Sequence, residues 1–313
     1  MSTAYAPARA VTAVRDGERA HHLILIAGYV IAICFLLALA IYGWDYYTLD
    51  IAQRPFSDKH HLLKPSGVIG LKLGFLGLGI FLAIFLYPLR KHWPWLMRQG
   101  STRHWLDIHV LLGLSAPFII AFHSSFKFQG FAGVAFWIMA AVSASGVVGR
   151  YLYSQIPRRV NAAELSRKEI QESQAQLAAE LANQRLLPQA DLRHMLRLPS
   201  QQTVDRLPIV VALVYMILLD LARVLRAARL RRHALHGAQY VTTLFGVFPT
   251  RNHALERAIR TARKEAALSK RILFLSRSEK VFHLWHVIHK PFSYTFAVLA
   301  LIHITVVMMM GYM

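Results

Sequence analysis

Apolar residues in this chain gather into long unbroken runs, with the polar residues collected between them. A bilayer-crossing helix needs about 20 mostly apolar residues. Residues 22–44, 67–89, 105–126 and 130–153 meet that length, and a fifth run covers residues 281–310. A sixth run, residues 207–224, is shorter and holds Asp220 and Arg223. The pattern predicts an all-α fold, a polytopic transmembrane helix bundle of 5–6 spans with cytosolic amphipathic helices. The first run follows a polar leader and is too long for a signal-peptide core, so it is expected as an anchor helix. The expected organisation is a cytosolic N-terminal tail (1–21), four transmembrane helices (22–154), a basic, largely helical insertion (155–280) and a C-terminal transmembrane helix (281–313).

The insertion carries its own periodicity. Residues 161–187 read as a helix with Asn161 as N-cap and Pro188 as stop. Residues 250–272 read as a basic amphipathic helix whose stripe is Leu255, Ala258, Ile259, Ala262 and Ala266. That stripe suits anionic headgroups, a docked partner or plain packing within the chain.

Composition agrees with a membrane protein. Hydrophobic residues are 55% of the chain and charged residues 17%, below the soluble norm of about 25%. Lys plus Arg number 36 against 16 Asp plus Glu, a formal net charge of +20. With long apolar runs, such charge marks basic cytosolic loops and not a nucleic-acid partner. Cys34 is the single cysteine. It forbids an intrachain disulfide or a cysteine-held iron–sulfur cluster, and is expected as a small buried residue.

Loop charges set the direction. Arg9, Arg15 and Arg19, then Arg90, Lys91, Arg98 and Arg103, then Arg150, Arg158, Arg159, Arg167 and Lys168 fall on one side, read as the cytoplasm. The opposite loops hold Arg54, Lys59 and Lys64, offset by Asp45, Asp50 and Asp58, and then Lys127. If residues 207–224 cross the bilayer, the basic stretch after them lies outside. If they are interfacial or re-entrant, it stays inside and the last helix runs outward. Charge favours the second arrangement and hydrophobicity the first.

The histidines carry the chemistry. The run at 105–126 holds His109 and His123, and the last run holds His289 and His303, each pair fourteen residues apart. Fourteen residues rise about 21 Å and end within roughly 40° of four full turns, so each pair shares a face near opposite sides of the hydrocarbon core. Two stacked b-type haems, each held by one histidine from each helix, fit that arrangement. His286 and His303, 17 residues apart, and His104 and His123, 19 apart, are turned about 100° from each other, and His283 and His303, 20 apart, fall on nearly opposite faces. A single intramembrane histidine often only hydrogen-bonds a neighbouring helix, but two equal spacings are hard to reconcile with that for the set. A metal transporter would instead want clustered ligands with carboxylates near the midplane.

This paired spacing resembles the ferric-reductase-like transmembrane domain shared by iron reductases and the NADPH oxidase family. The stretch GRYLYSQIPR at 149–158 and the closing WHVIHKPF, His303 and MGY also look like bacterial relatives of that group. The resemblance covers roughly residues 105–312. It implies that His109, His123, His289 and His303 are axial ligands of two haem b irons, in a bacterial inner membrane with the N-terminus cytoplasmic. In that family the two ligand helices run the same way, which pairs His109 with His289 and His123 with His303. A crossing at 207–224 would reverse the last helix and pair His109 with His303. The long insertion departs from the family. So does the absence of any Gly-rich phosphate loop for a flavin or nicotinamide, so donor and acceptor are expected to be separate subunits or a quinol.

Arg103, Arg150 and Lys290 at the cytosolic helix ends, and Lys72 and Lys127 near the outer ends, are candidate propionate partners, with snorkelling to headgroups the alternative for each. Gly67, Gly70, Gly74 and Gly77 form a stripe that permits close helix packing or approach to a flat ring. Asp107 is expected to favour its helix start through the dipole. The expected function is a membrane di-haem cytochrome b subunit carrying electrons between a separate donor and acceptor. The alternatives are a quinol-oxidising haem-b anchor of a larger respiratory complex, with His283, His286 or Asp107 near a quinone, and a haem-free transporter or scaffold.

Overall fold

The computed structural model describes residues 8–155, 198–234 and 252–311, together with residues 172, 175, 176 and 179; side chains are described from residue 17 on. Among the described residues the protein is all-α, without strands. Six long helices organise it: α1 (Ala8–Tyr42), α2 (Val68–Leu89), α3 (Thr102–His123), α4 (Gly130–Gln155), α5 (Ile209–Ala234) and α6 (His253–Met309). Five segments are long and apolar enough to cross a membrane: Gly17–Tyr42, His60–Leu89, Thr102–His123, Gly130–Gln155 and the 57-residue His253–Met309. Cys34, expected to be buried, is exposed on α1. Leu23, Ile31 and Ile41 are exposed on the same helix, a surface suited to lipid.

Two compact units are present, Met1–Val148 with Ile288–Met313, and Gly149–Val287. In the first, Leu73 and Ile80 of α2, Ala116, Ile119 and Phe122 of α3 and Met139 of α4 form one apolar cluster, joined by Leu36 and Leu39 of α1 and Phe296 of α6. The glycine stripe is what lets α2 and α3 approach closely. A Cβ on Gly77 would run into the Ile120 side chain, and one on Gly74 would stand 2.8 Å from the His123 ring. Ser101 caps α3, its hydroxyl accepting from the His104 amide at 3.2 Å. Buried Arg90 holds the turn between α2 and α3, donating to the carbonyls of Leu96 (3.0 Å), Met97 (3.0 Å) and Gly100 (2.8 Å). At the far end of α3, Ser125 and Phe126 adopt φ of 50° and 60°, a left-handed conformation uncommon in residues other than glycine. Arg54 pins that turn by donating to the Ser125 carbonyl, and the Ser125 hydroxyl donates to the Leu63 carbonyl at 2.6 Å.

In the second unit α5 packs against the N-terminal half of α6. Ala212, Met216 and Leu219 meet Phe274, with Tyr151 beside them. Ala227 meets Leu255, Ala258, Ile259 and Ala262. Arg231 grips Glu256 with two nitrogens, at 2.8 and 3.0 Å. Lys270, 1% exposed, donates to Asp220 at 2.6 Å and to the Tyr151 hydroxyl at 3.2 Å; that hydroxyl donates to Asp220 at 2.6 Å, and Arg223 also pairs with Asp220.

One expected boundary between helices is absent. The basic helix at 250–272 and the span at 281–310 are one continuous helix, α6, begun by Asn252, whose side-chain oxygen accepts from the Ala254 and Leu255 amides. Its stripe of Leu255, Ala258, Ile259, Ala262 and Ala266 is buried, so of the three roles expected for that face it takes packing within the chain. The run at 207–224 continues as α5 to Ala234 and is not among the five apolar segments. The helix expected over 161–187 lies outside the described residues, four helical positions apart.

Candidate functional site

His109, His123, His289 and His303 are all partly buried and all lie in the first unit. His109 Nδ1 is 3.0 Å from the Ile84 carbonyl oxygen, and His123 Nδ1 is 2.8 Å from that of Gly70. A carbonyl only accepts, so each Nδ1 carries the proton and each neutral ring keeps its lone pair at Nε2. Gly70 and Ile84 are also fourteen residues apart. The antiparallel helix α2 therefore answers α3 level by level.

On α6, His289 Nδ1 is 2.7 Å from the Ser145 hydroxyl of α4. Two residues earlier on α4, the Ser143 hydroxyl donates to the Gly113 carbonyl at 2.7 Å, one turn from His109. His303 stands within electrostatic reach of His123. The apolar part of α6 therefore runs parallel to α3, with His303 toward the level of His123 and His289 joined through α4 to the level of His109. Among the described residues no group of three or more His, Cys, Asp and Glu could hold a metal ion. A bis-imidazole iron needs only two such ligands.

The other expected site residues are spread more widely. Lys72, Lys127 and Lys290 are exposed and Arg150 is partly buried. Arg103 is engaged with Glu18 at 3.2 Å and Asp107 at 3.9 Å. Asp107, expected to favour its helix start or, in the alternative reading, to stand near a quinone, is buried and pairs with His21 Nε2 at 3.2 Å. The His21 and His104 rings stack with centroids 3.7 Å apart, and His104 Nε2 is 3.5 Å from Glu18. His283 and His286 belong to the second unit, where the His286 ring lies beside Phe282 and Trp285.

Two groups lie outside the spans, between α1 and α2. Lys59 hydrogen-bonds Asp45 at 2.7 Å and holds its carboxyl below the usual range. Tyr47 packs edge-on against Phe122 and Phe126, and burial pushes its phenol up to about 12, so it stays neutral at physiological pH.

Sequence reasoning missed the partners of the imidazoles. Backbone carbonyls carry no residue signature, and nothing local in the sequence marks Ser145 as the partner of an imidazole 144 residues away. Comparison with family models, curated proteins and solved structures gave no match to this chain. The resemblance to ferric-reductase-like domains thus rests on the residues alone.

Proposed function

We propose that this chain is a membrane di-haem cytochrome b subunit that carries electrons across the bilayer between a separate donor and a separate acceptor. One observation carries the reading: two imidazoles of α3, fourteen residues apart, are each locked through Nδ1 to a carbonyl of α2, which leaves Nε2 to ligate. A hydrogen bond on the second ring nitrogen is how metal-ligating histidines are commonly held in tautomer and orientation. His109 and His289 would hold the group nearer the cytoplasm, and His123 and His303 the outer one. Bound there, b-type haems would supply one-electron carriers at two depths of the membrane. The remaining residues position and insulate. Ser145 fixes His289, Gly74 leaves room for the His123 ring, and Leu73, Ile80 and Phe122 keep water from the centre.

The quinol-oxidising reading has one observation in its favour. The buried Asp107–His21 pair near the start of α3 could accept hydrogen bonds from quinol hydroxyls.

A dithionite-reduced minus oxidised spectrum of the purified protein, with a pyridine haemochrome assay, tests the proposal. A b-type band at about two haems per chain is the expected outcome. A folded preparation that takes up no haem rejects it in favour of transport or scaffolding. Reduction by a short-chain quinol alone, before any partner is added, selects the quinol-oxidising reading.

Gly74→Val offers a finer check. Its side chain would displace the His123 ring, whereas Gly79, with open space at its Cβ, is the control. Gly74→Val should lose about half of the b-type absorbance per chain, consistent with one of two ligand pairs failing, while Gly79→Val keeps it. Equal spectra would mean that His123 is not a ligand.

A further inference from the structure

We propose that Glu18, His21 and His104 form a clasp, closed by one proton, that holds the first turns of α1 against α3. The clasp lies wholly within the first unit and needs neither haem nor quinol.

The attachment of α1 points to it. The second half of α1 packs Leu36 and Leu39 on the apolar cluster of α2 and α3. The first half is fastened differently. Over positions 17–42 the one buried residue is His21, while Leu23, Ile24 and Ile26 are 58–68% exposed. Apolar packing is indifferent to protons, but a fastening made of imidazoles and carboxylates is not.

The arrangement is one proton short of complete. His21 Nε2 pairs with buried Asp107 at 3.2 Å. The His104 ring stacks on His21 with centroids 3.7 Å apart and planes 22° apart. His104 Nε2 is buried and makes no hydrogen bond among the described residues, although Glu18 Oε1 stands 3.5 Å away. Protonation makes Nε2 a donor and gives the ring a charge opposite to that of Glu18. The two then draw together in a charge-assisted bond, which ties α1 to α3.

Charge limits the uptake to one. The groups facing the two rings are Glu18 of α1 and Arg103 and Asp107 of α3. Arg103 reaches Glu18 at 3.2 Å and Asp107 at 3.9 Å. In the turn between α2 and α3, Arg90 spends its guanidinium on carbonyls and the Thr102 hydroxyl. Arg19, His22, Lys91, His92 and Arg98 are exposed. Two carboxylates against one guanidinium leave one negative charge in excess while both rings are neutral. A first proton cancels it. A second would set two imidazolium rings face to face at 3.7 Å, where like charges oppose ionisation. The clasp therefore closes as pH falls through the range in which imidazoles change charge, and opens as pH rises.

Nitroxide mobility tests the clasp in the full chain, held in lipid nanodiscs. On a Cys34→Ser background one label is placed at Ala20→Cys, exposed in the first turns, and in a second protein at Leu37→Cys, exposed in the second half. Between about pH 5.5 and about pH 8.5 the Ala20 label should pass from immobile to mobile, and the Leu37 label should not change. The ratio of the two Ala20 components should shift by at most about tenfold per pH unit, the limit for one proton. Glu18→Gln should abolish the response, and so should His104→Gln, whose amide donates without a charge. The proposal is overturned by an Ala20 label that is the same at both ends of the range, by a response that survives Glu18→Gln, or by an equal change at Leu37. A shift steeper than one proton allows overturns the charge count. The Glu18 side chain is 42% exposed, so Glu18→Gln keeps the test decisive even where His104→Gln fails to fold.

Discussion

His123→Ala should halve the haem bound per chain, from about two to about one, because an iron at that level loses one of its two axial imidazoles. The same loss is expected for His303→Ala, and the double variant should lose no more than either single one. Residues that serve one site are not additive, whereas residues of independent sites are. Combining His123→Ala with His109→Ala should therefore empty both levels. This matrix also reads the pairing. The proposed parallel course of α3 and the apolar part of α6 makes His123 and His303 the expected non-additive pair; non-additivity between His123 and His289 would reverse the last helix. Haem content unchanged in every single variant would remove the histidines from the site altogether.

The second large effect is on stability. Asp220→Ala leaves Lys270 buried without its nearest carboxylate. Breaking a buried ion pair by removing one partner costs about 3–5 kcal/mol. The Asp220 side chain is 29% exposed, so the lower end, about 3 kcal/mol, is expected here. Against a usual net stability of about 5–15 kcal/mol that is a large fraction. Asp220→Leu combined with Lys270→Met should recover most of the loss, because the apolar pair has no charge to desolvate. Thermal unfolding in detergent, followed by helical circular dichroism, measures both. An Asp220→Ala midpoint equal to that of the parent would mean that the cluster does not hold α5 to α6.

The spans and the histidine spacing were legible because both are local and periodic. An apolar run states its own length, and fourteen residues state their own angle on a helix. The continuity of α6 was also written in the chain. Residues 253–290 contain no glycine or proline, so nothing breaks the helix where its composition turns from basic to apolar. A change of solvent had been read as a change of element. What could not be read are the partners supplied by distant segments. His21 meets Asp107 across 86 residues of sequence, and Ser145 meets His289 across 144. The partner of the buried face at 250–272 is α5, which no local pattern names, since a stripe of alanine, leucine and isoleucine suits lipid and helix equally.

His123 and His303, the pair proposed to share one haem, are separated by 180 residues of sequence. At a translation speed of about 5–20 residues per second, some 10–40 s pass between their syntheses. During that interval α2 and α3 can already hold two oriented imidazoles, each missing its mate. Haem delivery during biogenesis would thus meet half-built cradles first. On the proposed di-haem reading, closure waits for the last helix to enter the membrane, and the arrival of α6 would be the committing step of maturation.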